Sequence, residues 1–398
     1  MRICRTLPPA AAPIPVKHLL DGFRGLVGGK RLLEKREKEL RLHFSVKHVF
    51  LLSSGKAALT VILKALKSLN PDKNEVLIPA YTCFSVPSAI VKAGLKVSLC
   101  DIDPTTFDFD YRLIDEAVSE KTLCVVPDHL FGIPANMNRI TAFCRTKGIF
   151  VVEDAAQAMG GSYRGKPLGT LGDVGFFSLG RGKNLTCGSG GIVTTNSEPI
   201  ARKITEEYCC LETPSKIETL KELLKVILLV LFIRPSLYWF PAGLPFLRLG
   251  ETIFCSDFPI KRFSGMQAGL LDNWQVRLSE SNDARKRSAR GFIDILGLVD
   301  LCDDIPYLRL PIMALNHESR ERLLSLSRRD GLGVSAIYPT PIHEIEELRG
   351  QFPGASFPAA KEVSQRILTI PTHQLLTQRD RERIAALKRT EYPYRTKV

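Results

Sequence analysis

Four short segments of this 398-residue chain carry side chains that can do chemistry. In VVEDAAQA, residues 151–158, an apolar run ends in Glu153 and Asp154. A carboxylate at a strand end can hold a protonated ring nitrogen or a metal, or simply cap a helix. In GDVGFFSLGRGKNL, residues 172–185, an apolar run gives way to Ser178 and then to Lys183. Lysine is most often solvated surface. Here Gly180 and Gly182 let the backbone approach a ligand, and a deprotonated lysine held against a carbonyl forms a Schiff base. In SSGKAAL, residues 53–59, a small polar turn opens a helix. Its free N–H groups outline a phosphate site, and an ordinary N-cap has the same pattern. The fourth segment, CGSGGIV at 187–193, is not a dinucleotide loop, because IVTTN continues it as a strand where G-x-G-x-x-G requires a helix.

The elements that must position these groups alternate. HVFLL, EVLIP, KVSLCDID, TLCVVP and FVVED read as strands. SSGKAALTVILKALKSL, YTCFSVPSAIVKAG, LIDEAVSE and MNRITAFCRTKG read as helices between them. The alternation predicts βαβ units, a mostly parallel sheet, and ligands outside the carboxyl ends of its strands. Ser53-Ser54-Gly55, Pro79-Ala80-Tyr81-Thr82, Asp101, Asp128-His129 and Glu153-Asp154 fall at those ends. The pattern fades near residue 200. FSGMQAGLLDNWQVRLSESNDARKRSARGF then reads as one long basic helix, and YLRLPIM and ILTIP as short strands among charged helices. This predicts an N-terminal arm over 1–20, a large domain over 21–250 and a smaller α+β domain over 251–398.

Lys and Arg number 55 against 42 Asp and Glu, a net charge of +13 that favours anionic partners. No motif supports nucleic-acid binding. Hydrophobic residues at 44% give a globular composition and exclude a disordered or collagenous chain. Ten cysteines form no C-x-x-C pair, so they read as buried hydrophobes in a reduced compartment rather than zinc ligands or a disulfide framework. No metal site is expected. The proline-broken N-terminus has no apolar core of a signal peptide, so cytoplasmic residence is the expectation.

Taken in order, SSGKAAL, PAYTCFSVPSAIVKAGLKVSLCDID, HLFGIPANM, EDAAQAMGG and GDVGFFSLGRGKNLTCGSGGIV resemble the DegT/DnrJ/EryC1/StrS family of pyridoxal phosphate (PLP)-dependent aminotransferases. The resemblance is strong over 45–200. It implies a fold-type-I transferase: a large α/β domain with a mostly parallel mixed sheet flanked by helices, plus a smaller α+β C-terminal domain. It implies a homodimer that moves an amino group, from glutamate, through PLP and its amine form PMP to a keto-sugar in surface polysaccharide or glycan biosynthesis. The sugar's carrier is a nucleotide or a lipid. A PLP-dependent sugar dehydratase and a non-catalytic regulatory protein of the same fold are the alternatives. Lys183 matches the lysine that binds PLP covalently, and Asp154 the carboxylate that pairs with its ring nitrogen. Gln157 matches the position beside the 3-hydroxyl, and Ser178 a phosphate-binding hydroxyl. Gly55 and Lys56 match the glycine–threonine whose amides hold the phosphate. Cys83 or Phe84 takes the place of the aromatic that stacks on the ring. The family's cross-subunit asparagine is Ile260 here, with Lys261 or Arg262 as replacements for its phosphate contact. His129, Tyr338, His343 and His373 lie in matched loops as substrate-binding candidates.

The hydrophobic insertion 216–250 stands apart. Residues 226–233 are continuously apolar, and Lys225, Arg234 and Arg248 are the only charges in 223–249. A spanning helix needs about 20 apolar residues, and Pro235, Pro241 and Pro245 interrupt this one. A subunit or interdomain interface and a peripheral, monotopic membrane contact are both open readings.

Overall fold

The computed structural model describes residues 5–247, 249–298 and 304–387. An extended arm leads into helices α1 (Lys17–Gly25) and α2 (Gly29–Phe44). Strands β1 (His48–Leu52), β2 (Glu75–Pro79), β3 (Lys96–Cys100), β4 (Thr122–Val125) and β5 (Phe150–Asp154) follow. They alternate with α3 (Gly55–Leu69), α4 (Ser85–Lys92), the single turn α5 (Ile114–Ala117) and α6 (Met137–Lys147). A small hairpin, β6 (Ser162–Tyr163) and β7 (Lys166–Pro167), precedes β8 (Val174–Ser178) and β9 (Gly191–Thr195).

Seven strands form one sheet in the order β1-β9-β8-β5-β4-β2-β3. β9 runs antiparallel to both neighbours and the remaining pairs are parallel, so six strands end at one edge. Both faces are covered. Successive residues point to opposite sides: Leu51, Phe177 and Ile192 enter one core, and Leu52, Phe176 and Val193 the other. That double burial explains why the strands read as nearly unbroken apolar runs.

The chain continues through α7 (Glu198–Cys209), α8 (Lys216–Phe232), α9 (Trp239–Ala242), α10 (Gly265–Leu270) and α11 (Trp274–Leu296). The last elements are β10 (Arg309–Met313), α12 (His317–Asp330), α13 (Pro358–Arg366), β11 (Ile367–Pro371) and α14 (Gln378–Ala386). β10 and β11 pair antiparallel over a separate core.

Three expectations change. The single helix read from residue 263 onward is two, because Asn273 adopts a left-handed conformation (φ +51°) between α10 and α11. The division at 251 moves into α11. Trp274 and Leu278 belong to the sheet core, whereas Ala289 and Phe292 belong to the β10–β11 core. One continuous helix serves both. Of the arm read over 1–20, the described residues, from Arg5 onward, pack against the rest of the protein and include the start of a helix. Leu7 is buried in the C-terminal core, its N–H bonds Gly331 O at 2.9 Å, and α1 begins already at Lys17. α1 crosses α10 so closely that a Cβ on Gly25 would lie 2.1 Å from Gly265 O. Among the described residues, no helix is long and apolar enough to cross a membrane.

Candidate cofactor and catalytic site

The carboxyl edge of the sheet gathers the chemistry-bearing segments. Ser54 caps α3, its Oγ accepting the Ala57 N–H at 3.1 Å, and the Ala58 N–H goes to Ser54 O. The Gly55 and Lys56 amides, ahead of these, have no carbonyl within the helix to bond. Gly55 faces Ser178 at the end of β8. A Cβ there would lie 3.0 Å from Ser178 Cβ and 3.2 Å from its Oγ. Two amides, a hydroxyl and the positive end of a helix therefore form an anion cradle that a larger residue would fill. Lys56 Nζ rests 4.3 Å above the Phe258 ring.

Glu153 and Asp154 are consecutive strand residues and so point to opposite faces. Glu153 is structural: it accepts the Gly169, Leu171 and Gly172 amides at 2.6, 2.7 and 3.2 Å, and contacts His129 Nε2 at 2.8 Å. Asp154 is buried at the sheet edge, with Oδ1 accepting the Ala156 N–H at 2.9 Å. Burial lifts its carboxyl to about 6. Asp128, its partner across a parallel bridge, is lifted to about 7 by burial and by the Asp154 charge. The Lys183 ammonium opposes both shifts, so its charge acts on the two acids.

The Lys183 loop is held from behind by a buried guanidinium on α11. Arg285 donates to Lys183 O at 3.3 Å, Ala11 O at 2.8 Å and Leu308 O at 2.7 Å. It thereby ties the loop to the N-terminal arm and to the entry of β10. Burial holds the Arg285 guanidinium down to about 9. Arginine on a basic amphipathic helix carries no sequence signal for this role.

Gln157 donates to the Tyr338 hydroxyl at 3.0 Å and accepts the Phe131 N–H at 3.3 Å. Tyr338 thus joins the site from the C-terminal region. Phe84 is buried and stacks on Tyr338 at 6.3 Å between centroids, whereas Cys83 is half-buried and neighbours the Tyr338 hydroxyl. Of the two candidates for covering a ring, only Cys83 leaves its side chain partly exposed.

Two histidines are corrected. His129 is fully buried, with Nε2 on Glu153 and Nδ1 accepting the Ala135 N–H at 3.0 Å, so both ring nitrogens are spent. His373 is buried and donates from Nε2 to Pro8 O at 2.8 Å, fastening the arm. Both rings lie in the interior of the protein. His343 lies 5.0 Å from the Phe357 ring, and burial lowers its pKa. The expected phosphate replacements are also engaged elsewhere. Lys261 Nζ pairs with Glu218 at 2.7 and 2.9 Å, and Arg262 donates to Tyr208 O at 3.2 Å and Cys209 O at 2.9 Å. Asp128 and Thr82 are the site residues that sequence reasoning noted only as strand-end polar groups.

This donor set fits PLP: an amide-and-hydroxyl cradle for a phosphate, a buried acid for a ring nitrogen, and an amine beside it. A model of the DegT/DnrJ/EryC1/StrS aminotransferase family matches residues 16–216 and 294–387. The chain belongs to this family. Among DegT/DnrJ/EryC1/StrS relatives, a pleiotropic regulatory protein of Geobacillus stearothermophilus is 37% identical over 172 residues, 43% of this chain and 46% of that one. Matches of that kind span about half the length of the curated relatives. A UDP-N-acetyl-3-dehydro-alpha-D-glucosamine 3-aminotransferase of Acidithiobacillus ferrooxidans is 26% identical across 94% of this chain and 92% of its own. The sugar aminotransferase CalS13 of Micromonospora echinospora superposes with a TM-score of 0.78 at 20% identity, covering 97% of this chain and all (100%) of that one. This last likeness concerns the fold.

Proposed function

We propose that this DegT/DnrJ/EryC1/StrS chain is a PLP-dependent sugar aminotransferase that passes an amino group, taken from glutamate, to a keto-sugar carried on a nucleotide or a lipid in glycan biosynthesis. The observation that carries this is the convergence of Lys183, Asp154 and the Gly55–Ser178 cradle at one sheet edge. The full-length resemblance to a sugar 3-aminotransferase supports the substrate class. PLP, when bound, supplies a carbonyl for the amino group and a ring that takes up electrons. The Gly55 and Lys56 amides with Ser178 Oγ bind its phosphate. Asp154 holds the proton of the ring nitrogen by its negative charge. Lys183 Nζ would accept a proton from the substrate carbon that bears the amino group in one half-reaction and return one to the keto-sugar carbon in the other. Gln157 and Tyr338 orient the opposite rim.

The test is the absorbance spectrum of purified protein with PLP, before and after glutamate, in wild type and Lys183→Ala. A long-wavelength cofactor band that glutamate bleaches in wild type, and that the variant lacks, is expected. No cofactor band in well-folded wild type would overturn the proposal. A second reading, a non-catalytic regulatory protein, is favoured by the name of the Geobacillus relative. It predicts a bound cofactor band that no amino donor changes. A dehydratase would turn over a sugar without consuming a donor.

The proposal includes a homodimer and a peripheral membrane contact through α8 and α9. Ile217, Leu220, Leu224, Leu228 and Leu231 recur every three or four residues, all exposed on one face of α8. Lys221, Lys225 and Arg234 are exposed beside them. Aliphatic residues flanked by cations, followed by exposed Phe240 and Phe246, suit an anionic bilayer surface.

A further inference from the structure

The carboxyl of Asp128 has no part in the chemistry above, yet it lies beside Asp154. Its Oδ2 accepts the Thr82 hydroxyl at 2.7 Å, and its Oδ1 is buried with no hydrogen-bond partner. Other buried acids of this chain differ. Asp101 takes the Ile102 and Ala360 amides on one oxygen and the Ala359 amide on the other. Glu153 fills both oxygens with three amides and a histidine. A purely structural carboxylate would be satisfied likewise, because an unpaired buried acceptor costs about 1–3 kcal/mol. Asp128, three residues past the end of β4, and Asp154 are partners in an isolated parallel bridge, so their side chains leave on the same face. Two buried carboxyls side by side do not both ionise readily, and one retains a proton.

We propose that Asp128 is a positioning residue that holds this proton against Asp154 and so sets the pH range in which Asp154 pairs with the cofactor's ring nitrogen. The assignment rests on the PLP reading of the site. The groups facing Asp128 are Asp154 from β5, Thr82 from the β2–α4 turn, Lys183 from the loop after β8 and Tyr338 from the C-terminal region, with His129 adjacent in sequence. Thr82, His129 and Lys183 favour its ionised form, while burial and Asp154 disfavour it. Between about pH 6 and about pH 7 the pair carries one negative charge, which Asp154 presents to the ring. As pH rises, Asp128 loses its proton and a second charge joins the first.

Two measurements test this in full-length protein. The first is the pH titration of the bound-PLP absorbance, together with PLP affinity, between pH 5.5 and 9. Wild type is expected to show a step near neutrality, Asp128→Asn to lose it or move it by a pH unit or more, and Thr82→Val to move it upward. The second is the melting temperature of apoprotein against pH. Folded Asp128 keeps its proton above the pH at which the unfolded chain releases it. The Asp128 contribution to wild-type stability is therefore lost as pH rises from about 4 to about 7, so the melting temperature of Asp128→Asn, taken relative to wild type, should rise across that window. If Asp128→Asn fails to fold, Thr82→Val carries the test. Identical titrations in wild type and the folded variants would overturn this assignment and leave the aminotransferase reading intact. Wild type that binds no PLP would overturn both.

Discussion

Gly55 shows how much one atom decides at this site. Its lack of a Cβ is what lets α3 begin against Ser178. An added methyl would press on Ser178 Cβ and Oγ and push the two cradle donors apart. Gly55→Ala is therefore expected to weaken PLP binding about tenfold or more, some 1.4 kcal/mol, with little change in the melting of the apoprotein. A fluorescence-monitored PLP titration measures it, and unchanged affinity would refute the cradle. Asp154 obeys similar local logic: a carboxyl raised to about 6 by burial is poised to ionise when a cationic ring arrives. Glu153, its neighbour in sequence, points to the other face, where three amides and His129 occupy it.

At the scale of elements, the N-terminal arm behaves as a strap. Arg5 pairs with Asp380 at 2.6 Å, Thr6 N–H bonds Pro235 O at 2.8 Å, and Ala11 O accepts from Arg285, which also holds the Lys183 loop. His373 closes the strap on Pro8. Burial, the largest influence, depresses His373 from 6.5 to about 3. The unfolded chain thus binds a proton that the folded chain refuses over that window. Stability from this group is full above pH 6.5 and is lost as pH falls toward 3. His373→Gln, which keeps a donor for Pro8, should show a shallower fall in melting temperature between pH 7 and 4.5 than wild type. A parallel fall would mean that His373 does not titrate with unfolding.

For the whole molecule, the open question is what covers α8. Its inner face, with Leu223, Val226 and Val230, packs against the sheet core, while the outer aliphatic face meets no described partner. The family match stops at 216 and resumes at 294, so this helix lies outside it. Flotation with phosphatidylglycerol vesicles should carry wild type upward, and phosphatidylcholine vesicles should carry less. A Leu224→Glu, Leu228→Glu variant should stay with the soluble fraction in both, with its cofactor spectrum unchanged. Wild type left behind by anionic vesicles would remove the membrane contact. Conversion of a dimer to monomers by the same substitutions would assign the face to a second copy of the chain.

Sequence alone determined the alternation of strands and helices between residues 48 and 158, because doubly buried parallel strands must be apolar throughout and their helices must carry 3.6-residue periodicity. It also determined the chemical inventory, since a lysine, an acid and a glycine-led helix start are legible in short windows. Only the tertiary structure decided which acid serves the site, because Glu153 and Asp154 are separated by the face each one takes. Only it placed the His129 and His373 rings in the interior, bonded through Nε2 to groups 24 and 365 residues away. Only it revealed Asp128 and Arg285. Their importance lies in contacts across strands and between distant elements, and such contacts leave no periodicity or motif in the chain.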